Sequence, residues 1–313
     1  MNFSHTPEFQ RHFLHPRFWP TWLLLLVSAL FAWVPVRVRA WLGDLVAYWL
    51  VRVDSKRRRL ALRNLSLCYP QLSEQQRLAL LRQHSRVVAH AFLGFGQLLL
   101  RSASHLQRQF DIEGLDIVER QVAAGKGIIL LTPHSLALEY AGQCLSIDRR
   151  MVTIVRVHHK NDVLDWVVTA FRHRYSYGGV YDNSTSMRTL VREVRSGKWL
   201  YYLPDDDRAM DNNVFAPFYG IDKASVPTLG RLARACNAAV IPMMTAWSPD
   251  RLRFLIRFHA PLETLTGNDE VYDATQVNRA IERILDEDPA QYMWSAKIFR
   301  VRPEGEPDLY RDI

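Results

Sequence analysis

The sequence lacks the short motifs of several common enzyme classes. It contains no Gly-x-Ser-x-Gly elbow, which argues against a serine hydrolase. It contains neither a P-loop nor the glycine-rich fingerprint of dinucleotide-binding folds. We therefore expect chemistry that needs no bound nucleotide and no other cofactor.

Cysteine is scarce. Cys68, Cys144 and Cys236 are the only cysteines, and their spacing matches neither a zinc site nor a disulfide framework. This usage is typical of a protein in a reducing compartment. We expect no metal site.

Negative charge is in deficit, since 40 lysines and arginines oppose 32 acidic residues and the net charge is +8. A surface of this sign attracts anionic partners. Acidic lipid, a phosphorylated substrate and nucleic acid are the classes that fit.

Long apolar runs are also rare, and the one that stands out covers Phe18–Val34 without a charged residue. Its length is at the short limit for a helix that spans a bilayer. Trp19, Trp22 and Trp33 lie near its ends, where interfacial aromatic residues are common. A spanning helix and a shallow amphipathic anchor that continues through 41–53 both fit this pattern.

Cationic residues are denser after the apolar run than before it. They are Arg37, Arg39, Arg52, Lys56, Arg57, Arg58, Arg59 and Arg63. The positive-inside rule then places the body of the protein in the cytoplasm, with the run 52–63 against lipid headgroups or simply solvated. A signal peptide cleaved near Ala40 is the alternative, but the arginines around that position disfavour it. We predict a membrane anchor and interfacial helix over 1–55 and an α/β domain over 56–313.

The α/β prediction comes from short apolar runs that alternate with helical patterns. The predicted strands are Ile128–Leu131, Met151–Val155, Trp199–Leu203, Ala239–Met243 and an outer strand Leu252–His259. Unbroken apolar strands are typical of a sheet covered by helices on both faces. Two aromatic segments carry further expectations: 215–219 could line an apolar pocket, and 294–302 could face the membrane.

The first candidate site follows strand Ile128–Leu131. Pro133 stops this strand, so His134 lies at its carboxyl end, where open α/β sheets bind ligands. Ser135 is predicted to cap a helix that begins near Leu136.

The spacing of His134 and Glu139 suggests a pair. Five residues along one helix would turn them about 140° apart, so they meet only if the histidine is in the loop and the glutamate in the first helical turns. That arrangement is typical of a base held by an orienting carboxylate. A capping histidine and a glutamate that favours the helix dipole are the alternative.

An acidic group follows the next such strand. Leu203-Pro204 delivers Asp205, Asp206 and Asp207 to the same sheet edge as His134. Adjacent carboxylates repel one another and must be hydrated, bound to metal or paired. We expect them to pair with arginines, and the candidates are Arg156, Arg172 and Arg174.

Taken in order, these features resemble the late acyltransferases of lipid A biosynthesis, the lauroyl/myristoyl transferase family. The resemblance covers nearly the whole chain. It is carried by the apolar N-terminal segment, Asn64-Leu65, Cys68-Tyr69-Pro70, His134 with Glu139, Arg156, Leu164-Asp165-Trp166, Arg172, Arg174, 203–207 and Val240-Ile241-Pro242.

The resemblance implies a central mixed sheet flanked by helices, a hydrophobic anchoring helix and a place on the cytoplasmic side of the inner membrane. It implies transfer of a C12–C14 acyl chain from acyl carrier protein to the 3-hydroxyl of an acyl chain on a phosphorylated glycolipid, without an acyl-enzyme and without nucleic acid.

The resemblance also implies residue roles. His134 is the base, Glu139 its orienting partner and Arg172 an oxyanion or substrate contact. Arg156, Arg174, Asp205 and Asp207 are expected to bind substrate. These roles are given by the family's pattern of residues.

One departure lies just after the acidic group. Arg208-Ala209 stands where the family often has an aromatic residue or histidine followed by glycine. An acyltransferase for glycerolipid or ornithine lipid with the same chemistry, and a non-catalytic lipid-binding membrane protein, are the alternative functions.

Overall fold

The computed structural model describes residues 8–149, 151–155, 161–175, 179–182, 185–206 and 213–313. The helices are α1 (Trp19–Phe31), α2 (Val36–Arg52), α3 (Lys56–Cys68), α4 (Glu74–Gly94), α5 (Gly96–Leu100), α6 (Ala103–Gln107), α7 (Leu115–Ala123), α8 (Leu138–Asp148), α9 (Asp162–Arg174), α10 (Met187–Arg195), α11 (Leu229–Cys236) and α12 (Glu270–Glu287). Short 3-10 helices cover Arg11–Leu14, Pro16–Phe18 and Pro289–Gln291. The strands are β1 (Phe110–Glu113), β2 (Gly127–Leu131), β3 (Met151–Val155), β4 (Gly179–Asp182), β5 (Trp199–Tyr202), β6 (Val214–Phe218), β7 (Ile221–Ser225), β8 (Ala238–Ser248) and β9 (Arg253–Phe258).

The described strands form a seven-stranded mixed sheet in the order β1-β9-β8-β2-β5-β3-β4, beside a β6–β7 hairpin. β8 and β9 are antiparallel, and the other neighbouring pairs of the large sheet are parallel. The predicted mixed α/β sheet is therefore confirmed. The strand predicted at 252–259 lies one place in from the edge, because β1 pairs with its outer side.

β2 lies in the middle of the sheet, and its side chains show why. Ile129 and Leu131 enter the core on one face, while Ile128 and Leu130 enter the core on the other. All four are at most 1% exposed, and burying each contributes roughly 1.5–3 kcal/mol. The strand is thus fixed from both faces, and so is the point at which it ends.

Among the described residues, no helix is long and apolar enough to cross a bilayer. The predicted spanning helix is therefore not found. Of the apolar run, α1 covers only 13 residues, about 20 Å at 1.5 Å per residue, and Pro35, directly after the run, is the N-cap of α2. α2 then packs on α4, where the ring of His90 lies so close to Gly43 that a Cβ there would be 2.9 Å from it.

The N-terminal residues also pack against α9. Trp22 and Trp166 lie with ring centroids 6.1 Å apart, and Phe13 is 5.9 Å from Trp166. Asn161, the N-cap of α9, donates to the Thr21 hydroxyl at 2.7 Å. An aromatic cluster thus joins the start of the chain to the helix that carries Arg172.

Of the two predictions about aromatic segments, the one for 294–302 was wrong. Trp294 and Phe299 are fully buried, so 294–302 is not a surface facing a membrane. The reason is that Asn64 of α3 donates to the carbonyl oxygens of Trp294 and Ala296, at 2.6 and 2.7 Å. The segment 215–219 is largely strand β6, and its last residue, Tyr219, lines a cavity of about 400 Å³ together with Tyr69 and Asp286.

Candidate active site

The turn after β2 carries His134 and is held by the segment 289–294, which follows α12. Ser135 forms an antiparallel bridge with Tyr292. Leu136 N–H donates to the Gln291 carbonyl at 2.8 Å, and Met293 N–H donates to the His134 carbonyl at 3.2 Å. This pairing displaces the helix start: Ala137 is the N-cap of α8, so Ser135 does not cap it as predicted.

His134 is bound twice by one carboxylate. Its ring Nδ1 lies 2.7 Å from Asp205 Oδ1, and its backbone N–H donates to Asp205 Oδ2 at 2.8 Å. Asp205 comes three residues after β5, the parallel neighbour of β2, so two adjacent strand ends bring the pair together. The histidine side chain is 27% exposed and that of Asp205 is 2% exposed.

The environment keeps Asp205 ionised. Burial alone would raise its pKa, but the charge of His134, the two hydrogen bonds from that residue and the charge of Lys223 together lower the pKa below its ordinary value. An ionised carboxylate only accepts hydrogen bonds, so the imidazole carries its proton on Nδ1. Nε2 is then the nitrogen that can act as a base.

Glu139 is bound by Arg172. The guanidinium Nε donates to Glu139 Oε2 at 3.1 Å, and a terminal nitrogen donates to Oε1. Glu139 lies in the first turn of α8 and Arg172 in the last turn of α9. This bidentate geometry fixes the plane of the guanidinium as well as its charge.

The arginine is cationic in this site. Burial alone would lower its pKa, but the charge of Glu139 and the hydrogen bonds to it raise the Arg172 pKa above its ordinary value. Tyr201 of β5 lies near both charges, and its buried hydroxyl donates to the Leu138 carbonyl at 3.0 Å. The ion pair thus lies over the carboxyl end of β5, next to the strand that delivers His134.

The partners differ from the predicted ones. Asp205 occupies the place beside the His134 ring that we assigned to Glu139, and Glu139 takes the arginine that we expected to pair with the acidic group. The spacing correctly placed His134 and Glu139 at one sheet edge. The partner of each comes from elsewhere in the chain: Asp205 follows β5, and Arg172 lies on α9.

The other predicted substrate contacts have varied positions. Arg174 donates to the Leu98 carbonyl at 2.9 Å and lies over the Tyr175 ring, 4.9 Å from its centroid. Arg156 and Asp207 lie outside the described residues. Asp205, also predicted as a substrate contact, is buried behind the histidine. Within the described ranges, no cluster of three or more His, Cys, Asp or Glu side chains could hold a metal ion.

Sequence reasoning missed two buried residues that bear on Asp205. They are Tyr292, whose pKa is raised by burial and by the charge of Asp205, and Lys223, whose charge lowers the pKa of Asp205. Each is 1% exposed. No local motif marks either residue, because Lys223 lies on β7 and Tyr292 lies more than eighty residues beyond Asp205.

This arrangement can remove a proton from an alcohol and stabilise a developing negative charge. An imidazole held by a buried carboxylate supplies the base, and a fixed cationic guanidinium supplies the electrostatic stabilisation. Both lie at the carboxyl edge of the sheet.

The comparisons with known proteins agree with this chemistry. The family described as bacterial lipid A biosynthesis acyltransferase matches residues 6–301. A lipid A biosynthesis acyltransferase of Haemophilus influenzae is 32% identical, over 97% of this chain and 94% of the relative. The lipid A biosynthesis myristoyltransferase of Escherichia coli is 29% identical over 99% and 96%, and its lauroyltransferase is 27% identical over 98% and 100%. The chain is therefore an acyltransferase that belongs to the bacterial lipid A biosynthesis acyltransferase family.

Proposed function

We propose that this enzyme transfers a C12–C14 acyl chain from acyl carrier protein to the 3-hydroxyl of an acyl chain on a lipid A precursor. The observation that carries the proposal is the His134 imidazole, held by Asp205 at the sheet edge beside a fixed arginine. The names of two relatives, a myristoyltransferase and a lauroyltransferase, support this range of chain length.

In the proposed reaction, Nε2 of His134 takes the proton from the acceptor hydroxyl while the oxygen of that hydroxyl attacks the thioester carbonyl carbon. The new C–O bond forms as the C–S bond breaks, and the leaving thiolate receives the proton from the imidazolium. Asp205 stabilises that imidazolium. No acyl-enzyme is needed, because the acceptor alcohol is itself the nucleophile.

Arg172 stabilises the oxyanion that develops on the thioester carbonyl. Glu139 fixes the guanidinium through two hydrogen bonds, so the arginine needs little reorganisation when negative charge develops on the carbonyl oxygen. Glu139 thus acts through Arg172, and Asp205 takes the orienting role that the sequence suggested for Glu139.

The N-terminal helices supply an interfacial surface. On α1, four large apolar side chains follow three- and four-residue steps along one face, and Trp33, two residues after the helix, continues this spacing. Each of the five is at least 58% exposed: Trp19, Leu23, Leu26, Leu30 and Trp33. α2 has a similar face with Val38, Trp41, Leu45 and Trp49. Such faces are typical of helices that lie in the plane of a membrane.

Exposed cations border these faces, including Arg17, Arg37, Arg52, Lys56 and Arg57. They match anionic headgroups. We propose that the protein lies on the cytoplasmic side of the inner membrane, where it meets its glycolipid acceptor. The net charge of +8 also favours an acidic carrier protein as donor.

Acyl transfer should be measured with purified enzyme, a defined lipid A precursor and a series of carrier-bound chains. We expect the highest kcat/KM with C12 or C14 and a loss of about 10²–10⁴-fold in His134→Ala. His259→Ala is the matched control, since that histidine pairs with Glu287 outside the site. Full activity of His134→Ala would refute the mechanism. Transfer to a glycerolipid or ornithine lipid but not to the precursor would refute the acceptor.

Membrane binding should be measured by sedimentation with anionic vesicles. We expect the triple variant Leu23→Ser, Leu26→Ser, Leu30→Ser to bind at least tenfold more weakly, because each leucine buries apolar area in the interface. The control variant changes three other exposed residues, Val122, Val271 and Tyr272. Equal binding of both variants would refute the interfacial surface.

A further inference from the structure

Arg39 of α2 is a buried cation without an acidic partner. Its side chain is 5% exposed, and among the described residues no carboxylate or carbonyl oxygen binds its guanidinium. Arginine is almost never buried to this extent unless an anion compensates its charge. A guanidinium keeps its proton in proteins, so the charge persists. An anionic ligand is the partner that this side chain suits.

The position of Arg39 follows from the register of α2 against α4 and α5. The buried residues of α2 follow four-residue steps along one face: Arg39, Gly43 and Ala47. Gly43 lies against the His90 ring, and Trp33, just before α2, lies under the Arg101 guanidinium. The two segments therefore run in opposite directions, and Arg39 lies between these contacts, opposite the junction of α4 and α5. Helical side chains lean towards the N-terminus of their helix, so Arg39 extends towards the end of α5.

Arg101, the residue after α5, is the second cation of this region, and neutral side chains orient it. Its guanidinium lies 4.3 Å from the centroid of the Trp33 ring and donates to Nδ1 of His105 at 2.8 Å. Because Nδ1 accepts, the His105 proton is on Nε2, which donates to Gln97 Oε1 at 3.0 Å. Gln97 is 1% exposed. These contacts fix the guanidinium without neutralising it, since no carboxylate in the described part of the chain pairs with it.

Arg174, the third cation, connects this region to the active site. Its guanidinium donates to the Leu98 carbonyl of α5 at 2.9 Å, and the hydroxyl of Tyr175 lies 3.5 Å from the Arg101 carbonyl oxygen. Leu98 and Arg101 are three residues apart, so α9 and Arg101 meet at one turn of the chain. Arg174 is two residues beyond Arg172 on α9. The three cations thus lie beside the helix that supplies the proposed oxyanion contact.

The same region borders the apolar faces of the N-terminal helices. Leu30 and Trp33 are 63% and 66% exposed, and Leu100, directly before Arg101, is 46% exposed. Lipid phosphates lie just outside the apolar layer of a membrane. Arginines beside exposed apolar side chains are therefore at the depth where those phosphates are found.

We propose that Arg39, Arg101 and Arg174 form a site for the phosphate group of a lipid, where α2, α5 and α9 meet. This inference rests on the proposed function, in which the acceptor is a phosphorylated lipid at the membrane surface. Guanidinium groups suit phosphate because each can donate two parallel hydrogen bonds to its oxygens. The acceptor and the anionic phospholipids of the bilayer both carry such a group, and the two measurements below separate them.

The first measurement compares two acceptors in neutral detergent: the lipid A precursor with its phosphates, and the same precursor with them removed. In Arg101→Met and Arg39→Met we expect kcat/KM for the phosphorylated acceptor to fall roughly ten- to hundredfold, with little change for the other acceptor. Methionine keeps the apolar stem and removes the charge. Arg188→Met is the matched control, since it removes an exposed arginine of α10 and should keep the wild-type ratio.

The second measurement is sedimentation with phosphatidylglycerol vesicles. Arg57→Met is its control, because it removes an exposed cation that borders the same apolar faces. Weaker binding of Arg101→Met than of Arg57→Met assigns the site to a phospholipid. Equal binding of these variants, with the acceptor preference lost, assigns it to the acceptor.

One combination overturns the proposal: Arg101→Met keeps the wild-type ratio between the two acceptors and binds vesicles as well as Arg57→Met does. A purely structural role of the arginines gives this result, because it lowers kcat/KM equally for both acceptors. If Arg39→Met does not fold, Arg101→Met decides by the same criterion.

Failure of the proposed function would look different. If the wild-type enzyme does not acylate the precursor, the proposed acceptor is wrong, and the vesicle comparison alone decides whether the three arginines bind lipid phosphate. If the precursor is acylated and neither measurement separates Arg101→Met from its control, only the phosphate site is refuted.

Discussion

The two carboxylate pairs of the site are held in different ways. The Asp205 side chain is 2% exposed and binds both the ring and the backbone of His134. The Glu139 side chain is 25% exposed and meets one partner, Arg172, through two side-chain bonds between two helices. His134 is thus fixed through both its ring and its backbone, whereas the Glu139–Arg172 pair remains partly accessible to solvent.

The largest effect should come from Asp205→Asn. The carboxylate accepts hydrogen bonds with both oxygens, whereas an amide would turn its NH₂ group towards a donor and favour the wrong tautomer of His134. We expect kcat to fall about 10³–10⁴-fold, as for the equivalent change in a serine-protease triad. Glu139→Gln should cost much less, because one amide oxygen can still accept from Arg172. Equal losses in the two variants would remove the contrast between the pairs.

Acid should destabilise the segment 289–294, which holds the turn that carries His134, because His84 binds this segment at the Ala290 carbonyl. Burial lowers the pKa of His84 to about 4 from its ordinary value of 6.5. Between pH 6.5 and about 4, this histidine is protonated in the unfolded chain but neutral in the folded one, so acid favours unfolding. The stability of the fold is therefore unaffected by His84 above pH 6.5 and falls as the pH falls towards 4. We expect a loss of about 3 kcal/mol in the free energy of unfolding from this residue.

Urea unfolding in detergent at pH 7.5 and 4.5 measures that loss. His84→Gln keeps a donor for the Ala290 carbonyl but cannot titrate, so it should show a smaller pH dependence than wild type. The control is His15→Gln, since that histidine is exposed. The same pH dependence in His84→Gln and in wild type would contradict the assignment.

The smallest effect should come from Arg172→Lys. The positive charge remains but the bidentate contact with Glu139 is lost, so the cation is no longer held in one plane. We expect kcat to fall roughly ten- to thirtyfold, on the scale of a lost hydrogen bond to a charged group. Arg192→Lys, at an exposed arginine that pairs with Glu193, is the control. An unchanged kcat in Arg172→Lys would show that the guanidinium geometry is not used.

The sheet edge was predictable because its signals are local. The apolar runs of β2, β3 and β5 each end at the predicted place or within one residue of it, and Pro133 and Pro204 mark where the chain leaves the sheet. His134 and Asp205 follow from that alone. Burial on both faces leaves a continuous apolar run, which a single sequence displays.

The pairings were not predictable, because they depend on contacts between distant segments. Nothing near His134 indicates that Asp205 binds its ring. The same reason explains the error at 294–302: a basic, aromatic segment looks exposed until Asn64, 230 residues earlier, binds its carbonyl oxygens.

The aromatic cluster at the start of the chain has a consequence for how the enzyme can be handled. α9 rests on Phe13 and Trp22, and the far end of the same helix presents Arg172 to Glu139. Deleting the apolar N-terminal residues to improve solubility would remove the contacts of Phe13 and Trp22 with α9. The N-terminal residues therefore contribute to the position of the helix that carries Arg172, and we expect a shortened protein to hold this arginine, at the other end of the helix, less firmly.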